Sequence, residues 1–203
     1  MADSDFTKAY TAYQPLVQLG ANAVSVGSAQ DVSTHLGGLV IIQFGRGVAT
    51  ALGTAPTFRI EVSPAASPSP ATGWGLLTSF TPDQALCISL PPTSTSNSGQ
   101  PEITMTTTTG FAAGQRVFVL NTTLENSEFH QIMLVHASNH ITLEENLVNQ
   151  QTAAACLVQN KAERFVCQIP PEVAAFRIVA DGSSSGYATY WKADYVGITG
   201  FGA

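Results

Sequence analysis

The sequence predicts an all-β chain: an antiparallel β-sandwich, jelly-roll-like, with a small β-barrel module inserted in it. Three observations predict this. Helical periodicity is nearly absent over the 203 residues, while apolar and polar residues alternate with period two in several short runs. Those runs are rich in β-branched and aromatic residues, which suit a pleated, half-buried surface. Clusters of Gly, Pro, Ser and Asn separate them at the short spacing of sandwiches and barrels, not the longer spacing of α/β units.

In chain order, residues 1–15 carry Phe6, Tyr10 and Tyr13 with little periodicity and read as an N-terminal arm. An arm bearing three aromatics is expected to dock, so these three are the candidate subunit contacts. Strand-like runs follow at 16–26, 37–50 and 57–62; in the last, Phe58, Ile60 and Val62 share one face and Arg59 and Glu61 the other. Residues 63–70 hold three prolines, which lack the N–H a ladder needs, and read as an exposed loop. Runs at 74–80 and 86–90 lead into 91–99, a Pro/Ser/Thr stretch that reads as a linker. Four runs then crowd together at 102–109, 116–121, 129–136 and 140–144. About fifty residues suffice for a small barrel that leans on a neighbour. Beyond it come 153–159, 164–169 with Phe165, Cys167 and Ile169 inward, 176–180 and 187–198, with 181–186 reading as a hairpin loop. The simplest organisation is an arm at 1–15, a discontinuous sandwich of 16–92 and 152–203, and a linker plus inserted barrel at 93–151.

Composition narrows the role. Eight Lys and Arg stand against 14 Asp and Glu, a formal charge of -6, and charged residues make up 11% of the chain against roughly 25% in ordinary soluble domains. A 44% hydrophobic content excludes a disordered chain. The acidic balance argues against nucleic acid as the main partner, because affinity there comes from cations that displace counterions around phosphates. So little charge also fits poorly with a free monomer, whose solvated surface is usually rich in it. The chain opens acidic at Met1-Ala2-Asp3-Ser4-Asp5, without the basic-then-apolar pattern of a leader. Its densest apolar run, Leu39-Val40-Ile41-Ile42, falls far short of the roughly 20 residues of a membrane helix. No membrane partner is expected. Cys87, Cys156 and Cys167 sit in apolar or alternating segments and read as reduced, buried small hydrophobes; a Cys156–Cys167 bridge would need an oxidising compartment.

No motif names a reaction. His130 and His136 are six residues apart on one strand face, about 20 Å at roughly 3.3 Å per residue, and cannot share an ion. His136 and His140 can meet across a hairpin, but two ligands without a nearby carboxylate or thiol make a weak site. They read as polar hairpin residues, so no metal or other cofactor is expected. Glu144 and Glu145 are adjacent and point to opposite faces of a strand, which excludes the facing pair of a glycosidase. Glu125 and Glu128 fall in a turn. There is no Gly-x-Ser-x-Gly elbow, and Gly110-x-x-x-Gly114 lacks the Gly-Lys-Ser/Thr of a phosphate loop. The chain is therefore expected not to be an enzyme. Trp74, Trp191 and Tyr190 are the candidates for a glycan-stacking platform; the competing reading packs them in the core or a subunit contact.

Three segments of residues 101–151 carry a resemblance. They are Gly110-Phe111-Ala112-Ala113-Gly114-Gln115-Arg116-Val117, Asn126-Ser127-Glu128-Phe129 and Ile141-Thr142-Leu143-Glu144. Together they resemble a small β-module that recurs in virion structural proteins of tailed bacteriophages. Flanking matches are Phe44-Gly45-Arg46 with Thr57-Phe58-Arg59-Ile60-Glu61, Glu163-Arg164-Phe165-Val166, and Phe176-Arg177-Ile178-Val179-Ala180-Asp181. Gln115 departs from the pattern, in which an acidic residue is common after the second glycine. The resemblance implies a capsid decoration (cement) protein or a tail or fibre component, located in the virion after assembly in the host cytoplasm. It also implies a homo-oligomer, a trimer being favoured, and partners among the major capsid protein and other virion proteins. It supplies no catalytic residues. The alternative is a carbohydrate (receptor)-binding module that uses the two tryptophans.

Overall fold

A computed structural model of the chain describes residues 6–20, 23–47, 49, 52, 54–69, 72–83, 85–182 and 188–201. The chain is all-β and antiparallel. Its strands are β1 (Phe6–Leu19), β2 (Val24–Val26), β3 (Gln30–Asp31), β4 (Gly38–Arg46), β5 (Thr57–Ser63), β6 (Gly75–Phe80), β7 (Ser89–Leu90), β8 (Glu102–Thr104), β9 (Arg116–Asn121), β10 (Glu128–Val135), β11 (His140–Leu143), β12 (Cys156–Gln159), β13 (Glu163–Ile169), β14 (Ala175–Asp181) and β15 (Thr189–Phe201). A 3-10 turn at Leu124–Asn126 precedes β10.

Two sheets form the sandwich. The first runs β1-β15-β4-β13 and the second β2-β14-β5-β6, with β3 also on β14. Alternation decides what lies between them. Val40, Ile42 and Phe44 of β4 and Trp191, Ala193 and Tyr195 of β15 face Phe58 and Ile60 of β5 and Phe176, Ile178 and Ala180 of β14 in one buried cluster. The phase expected for β5 and β13 holds: Phe58 and Ile60 are buried, and Phe165 and Cys167 are less exposed than Arg164 and Val166. On the far face of the second sheet Arg177 pairs with Glu61 at 2.7 Å.

The arm expected at 1–15 is a full strand. β1 pairs with β15 from Phe6↔Phe201 to Leu19↔Thr189, with register shifts around residues 12–17. Pro15 lies in that irregular stretch of an edge strand, where a missing N–H costs no ladder bond. The run expected at 16–26 is accordingly split, its first half ending β1 and its second half forming β2. Residues 181–186 do not make a hairpin, since β14 and β15 belong to different sheets and the connection crosses between them. Residues 183–187 of it lie outside the described residues.

The third sheet has the order β7-β12-β9-β10-β11-β8 and curls into a half-barrel. It takes β7 and β12 from either side of residues 93–151, because Leu90, Cys156 and Val158 supply apolar side chains to its core with Ile103, Val117, Ile132 and Ile141. The 91–99 stretch is not a free linker. Thr93 N–H donates to Thr104 O at 2.8 Å, Ser96 exchanges both backbone bonds with Gln151, and a bridge joins Pro92 to Met105, tying the two sheet edges. The strand expected to run through 109 stops at Thr104: the Thr107 hydroxyl accepts the Thr109 N–H at 3.1 Å, a local bond that competes with the ladder. Gly110 follows at φ +86°, a conformation open to glycine.

The half-barrel sits on one end of the first sheet's outer face. Gly45 is the point of closest approach: a Cβ there would lie 2.4 Å from the Phe118 ring. Phe118 stacks on Phe129 at 4.6 Å and meets Tyr190 at 5.6 Å.

Candidate interaction face

Residues 39, 41 and 43 of β4 and residues 190–198 of even number on β15 point away from the sandwich core, as the alternation of buried and exposed positions requires. The half-barrel covers only the Gly45–Tyr190 end. At the other end the face is open and apolar. Tyr10 is 76% exposed, Val166 54% and Leu39 41%. Tyr10 and Leu39, with Ile41, Val196 and Ile198, line a groove of about 590 Å³, and Val166 lies beside it, paired with Ile41. The pairings that assemble it are Tyr10↔Val196, Lys8↔Ile198, Val196↔Leu39 and Val166↔Ile41. Lys8 and Arg164 stand at its rim, and Asp194 lines the shallower depression beside Tyr10. Contiguous exposed apolar surface of this kind marks interaction sites more often than isolated apolar residues do.

The structure separates the residues singled out in the sequence. Tyr10 lies on the open face. Tyr13 does not: its ring packs 5.1 Å from Phe176, its hydroxyl donates to Ser28 O at 2.7 Å and accepts the Ile178 N–H at 3.0 Å. Burial pushes its phenol up to about 12, against the opposing pull of the Ile178 N–H and Arg177. Tyr13 stands three positions from Tyr10, so strand alternation puts its side chain on the opposite, inward face. Phe6 pairs with Phe201 through the backbone; its side chain lies outside the described residues.

The glycan platform is not assembled. Trp191 is fully buried, 5.5 Å from Phe58, and presents no surface to a sugar. Trp74 is half-buried under the Arg177 guanidinium, 4.4 Å from its ring centroid, and its indole N–H donates to Ser69 O. Tyr190 is covered by Phe118. Trp191 lies on β15 of the first sheet, whereas Trp74 lies just before β6 of the second.

The remaining candidates do structural work. Glu128, 8% exposed, accepts from Asn149 N–H at 2.7 Å, Val148 N–H at 2.9 Å, Gln151 Nε2 at 3.0 Å and His130 Nε2 at 2.9 Å. Burial raises its pKa, but these donors together outweigh it and hold the carboxyl below its ordinary value. Glu144 accepts from Gln131 Nε2 at 2.8 Å, and Glu125 is exposed on the 3-10 turn. Gln115 Oε1 accepts the Ala112 N–H at 3.1 Å, doing with an amide oxygen what a carboxylate would do there. His35 donates to or accepts from the Tyr195 hydroxyl at 2.9 Å. None of the three cysteines is in a disulfide, and burial pushes the Cys156 thiol up to about 11. His136 and His140 do meet across the hairpin, rings stacked at 3.8 Å, and Glu102 joins them from β8. That carboxylate, thirty-four positions before His136, is the residue that spacing along the chain could not supply.

Comparison with known proteins gives little. No protein family and no curated protein matches the chain. Among solved structures, the tailspike protein gp49 of Pseudomonas phage LKA1 overlaps 36% of this chain and 14% of its own, at 19% identity and a TM-score of 0.32. The VP2 subviral particle of infectious bursal disease virus overlaps 97% of this chain and 42% of its own at 11% identity and a TM-score of 0.23. VP17, a capsid protein of bacteriophage P23-77, overlaps 96% and 97% at 8% identity and 0.20. The chain spans 14% of the tailspike's length, and none of these overlaps carries an argument about role.

Proposed function

We propose that this chain is a non-enzymatic structural protein of a bacteriophage virion, a capsid decoration protein that docks on the shell through the open face of its first sheet. The observation that carries the reading is that face: exposed Tyr10, Leu39 and Val166 adjoin half-buried Ile41, Val196 and Ile198 in one outward apolar surface of a four-stranded sheet. The motifs shared with phage virion proteins support it. In the fold these motifs build the half-barrel: Phe111, Val117, Ile141 and Leu143 fill its core, and Glu128 fastens residues 148–151 to β10. The low charge supports it too, since large protein–protein contacts are depleted of charge at their centre. The occupant is a shell protein offering an apolar ridge with carboxylates near its ends, to match Lys8 and Arg164. Binding to the assembled lattice and not to its dissociated subunits would stabilise the shell by mass action.

The test is sedimentation of the purified chain with particles of the virus that encodes it, stripped of their own copies. Wild type is expected to pellet with the shell to saturation. Tyr10→Asp with Val166→Asp should stay in the supernatant, because each places a carboxylate in the centre of the contact. Absence of the chain from native particles, or undiminished pelleting of the double variant, would sink the proposal. Copies confined to the tail would transfer the face to a tail partner.

A further inference from the structure

We infer that Glu102, His136 and His140 form a site for one divalent transition-metal ion of the zinc type at the β8–β11–β10 end of the half-barrel sheet. Strand pairing makes the site. His136 N–H donates to His140 O at 2.9 Å, closing the β10–β11 hairpin over residues 137–139, with Asn139 in the left-handed conformation at φ 60°. This sets the two imidazoles directly opposite each other. β8 then lies alongside β11 with His140↔Thr104 and Thr142↔Glu102 in register. Positions two apart share a face, so Glu102, Thr142 and His140 project to the same side as His136. The neighbouring positions Ile103 and Ile141 point the other way, into the half-barrel core.

The donor atoms of the three side chains lie within 4.8 Å of one another. Zinc holds nitrogen and oxygen ligands at about 2.0–2.2 Å, which puts neighbouring donors of a tetrahedron roughly 3.4 Å apart. The difference is within the reach of rotamers: Glu102 is exposed and both histidines are half-buried. Imidazole and carboxylate are the ligand set that suits zinc and its neighbours, and three protein ligands leave a fourth position for water.

A second observation concerns the other ring nitrogens. A metal-bound histidine commonly fixes its second N–H on an oxygen. Here Nε2 of His136 is 2.9 Å from the Thr142 hydroxyl, itself buried, and Nδ1 of His140 is 2.9 Å from the Ser138 hydroxyl. Each ring is thus held through one nitrogen, leaving Nδ1 of His136 and Nε2 of His140 for the ion. Bound there, the ion joins β8, a three-residue edge strand, to the β10–β11 hairpin.

Zn²⁺ titrated by calorimetry into the whole chain, with Co²⁺ as an absorbing substitute, tests this. One equivalent per chain is expected, with the intense visible bands of a four-coordinate cobalt centre. Glu102→Gln, on the exposed edge, should bind at least about tenfold more weakly, and the same holds for Thr142→Val through the lost orienting bond. His136→Ala with His140→Ala should lose the equivalent altogether, its fold checked by circular dichroism. If that double variant does not fold, Glu102→Gln and the cobalt spectrum of the unaltered chain decide. Absence of a stoichiometric equivalent, undiminished binding by Glu102→Gln, or loss of binding in His35→Gln instead would overturn the site.

Discussion

At the residue scale the most connected polar group is Glu128. It is buried, takes two backbone N–H donors from the 148–149 segment, and is joined by His130 and Gln151. Glutamine in its place keeps the shape but turns charge-assisted bonds into neutral ones and adds donors where only acceptors fit. Hydrogen bonds to a charged group are each worth about 1.5–3 kcal/mol, so Glu128→Gln should lose at least that much stability at neutral pH. The carboxyl is held below its ordinary 4.5 in the fold, so the unfolded chain binds its proton more tightly. The stabilisation is therefore complete above the unfolded value and lost as pH falls through the lower folded one. Urea midpoints of wild type and variant, measured across pH, should differ by a constant amount above about pH 5 and converge in acid. A difference that persists unchanged to pH 3 would exclude the carboxylate as its source. The sequence placed Glu128 in a turn and left it without partners. His130, two positions on, shares its strand face; the other donors come from residues twenty and more positions away, and no local pattern encodes such a distance.

At the scale of elements, the meeting of β4 with β9 depends on a missing side chain. Gly45 faces Phe118 so closely that a methyl group would overlap the ring, and the aromatic stack with Phe129 leaves the ring little room to turn. Gly45→Ala should cost about 1–3 kcal/mol, the usual penalty of overpacking. In a Phe118→Leu background, which opens space, the same substitution should cost clearly less. Thermal or urea unfolding of the four chains of this double-mutant cycle measures the coupling; strictly additive costs would contradict the contact. Elements with strong alternation, β5, β13 and β14, were legible from the sequence because period two follows from strand geometry alone. β1 was not. Its residues Ala9, Tyr10, Thr11 and Ala12 alternate weakly, and its strand character comes from β15 at the opposite end of the chain. The Thr-rich tract at 104–109 misled in the other direction: high β-propensity gave way to a hydroxyl–backbone turn.

At the scale of the molecule, the scarcity of charge acquires a spatial meaning. Arg46 is buried against the carbonyls of Asp83 and Ala85, Lys161 pairs with Asp83, Arg177 with Glu61, and Lys192 sits over Phe129. These cations hold the fold together, which leaves Lys8, Arg164 and Asp194 as the charges beside the open apolar face of the first sheet. The same inventory shows two apolar cores. One lies between the sandwich sheets; the other fills the half-barrel. They meet where Phe118 packs on Gly45 and Tyr190 and where Lys192 sits over Phe129, but share no buried cluster among the described residues. Two cores that share no buried cluster should open separately, since local unfolding follows cooperative units. Ile132 is fully buried in the half-barrel core, and Ile132→Ala should remove about 2–5 kcal/mol there. Native-state hydrogen exchange should then show faster exchange in β9, β10 and β11 while amides of β4, β14 and β15 keep their wild-type protection. Equal loss in both sets would mean that the sandwich and the half-barrel unfold as one, coupled through Phe118 and Phe129.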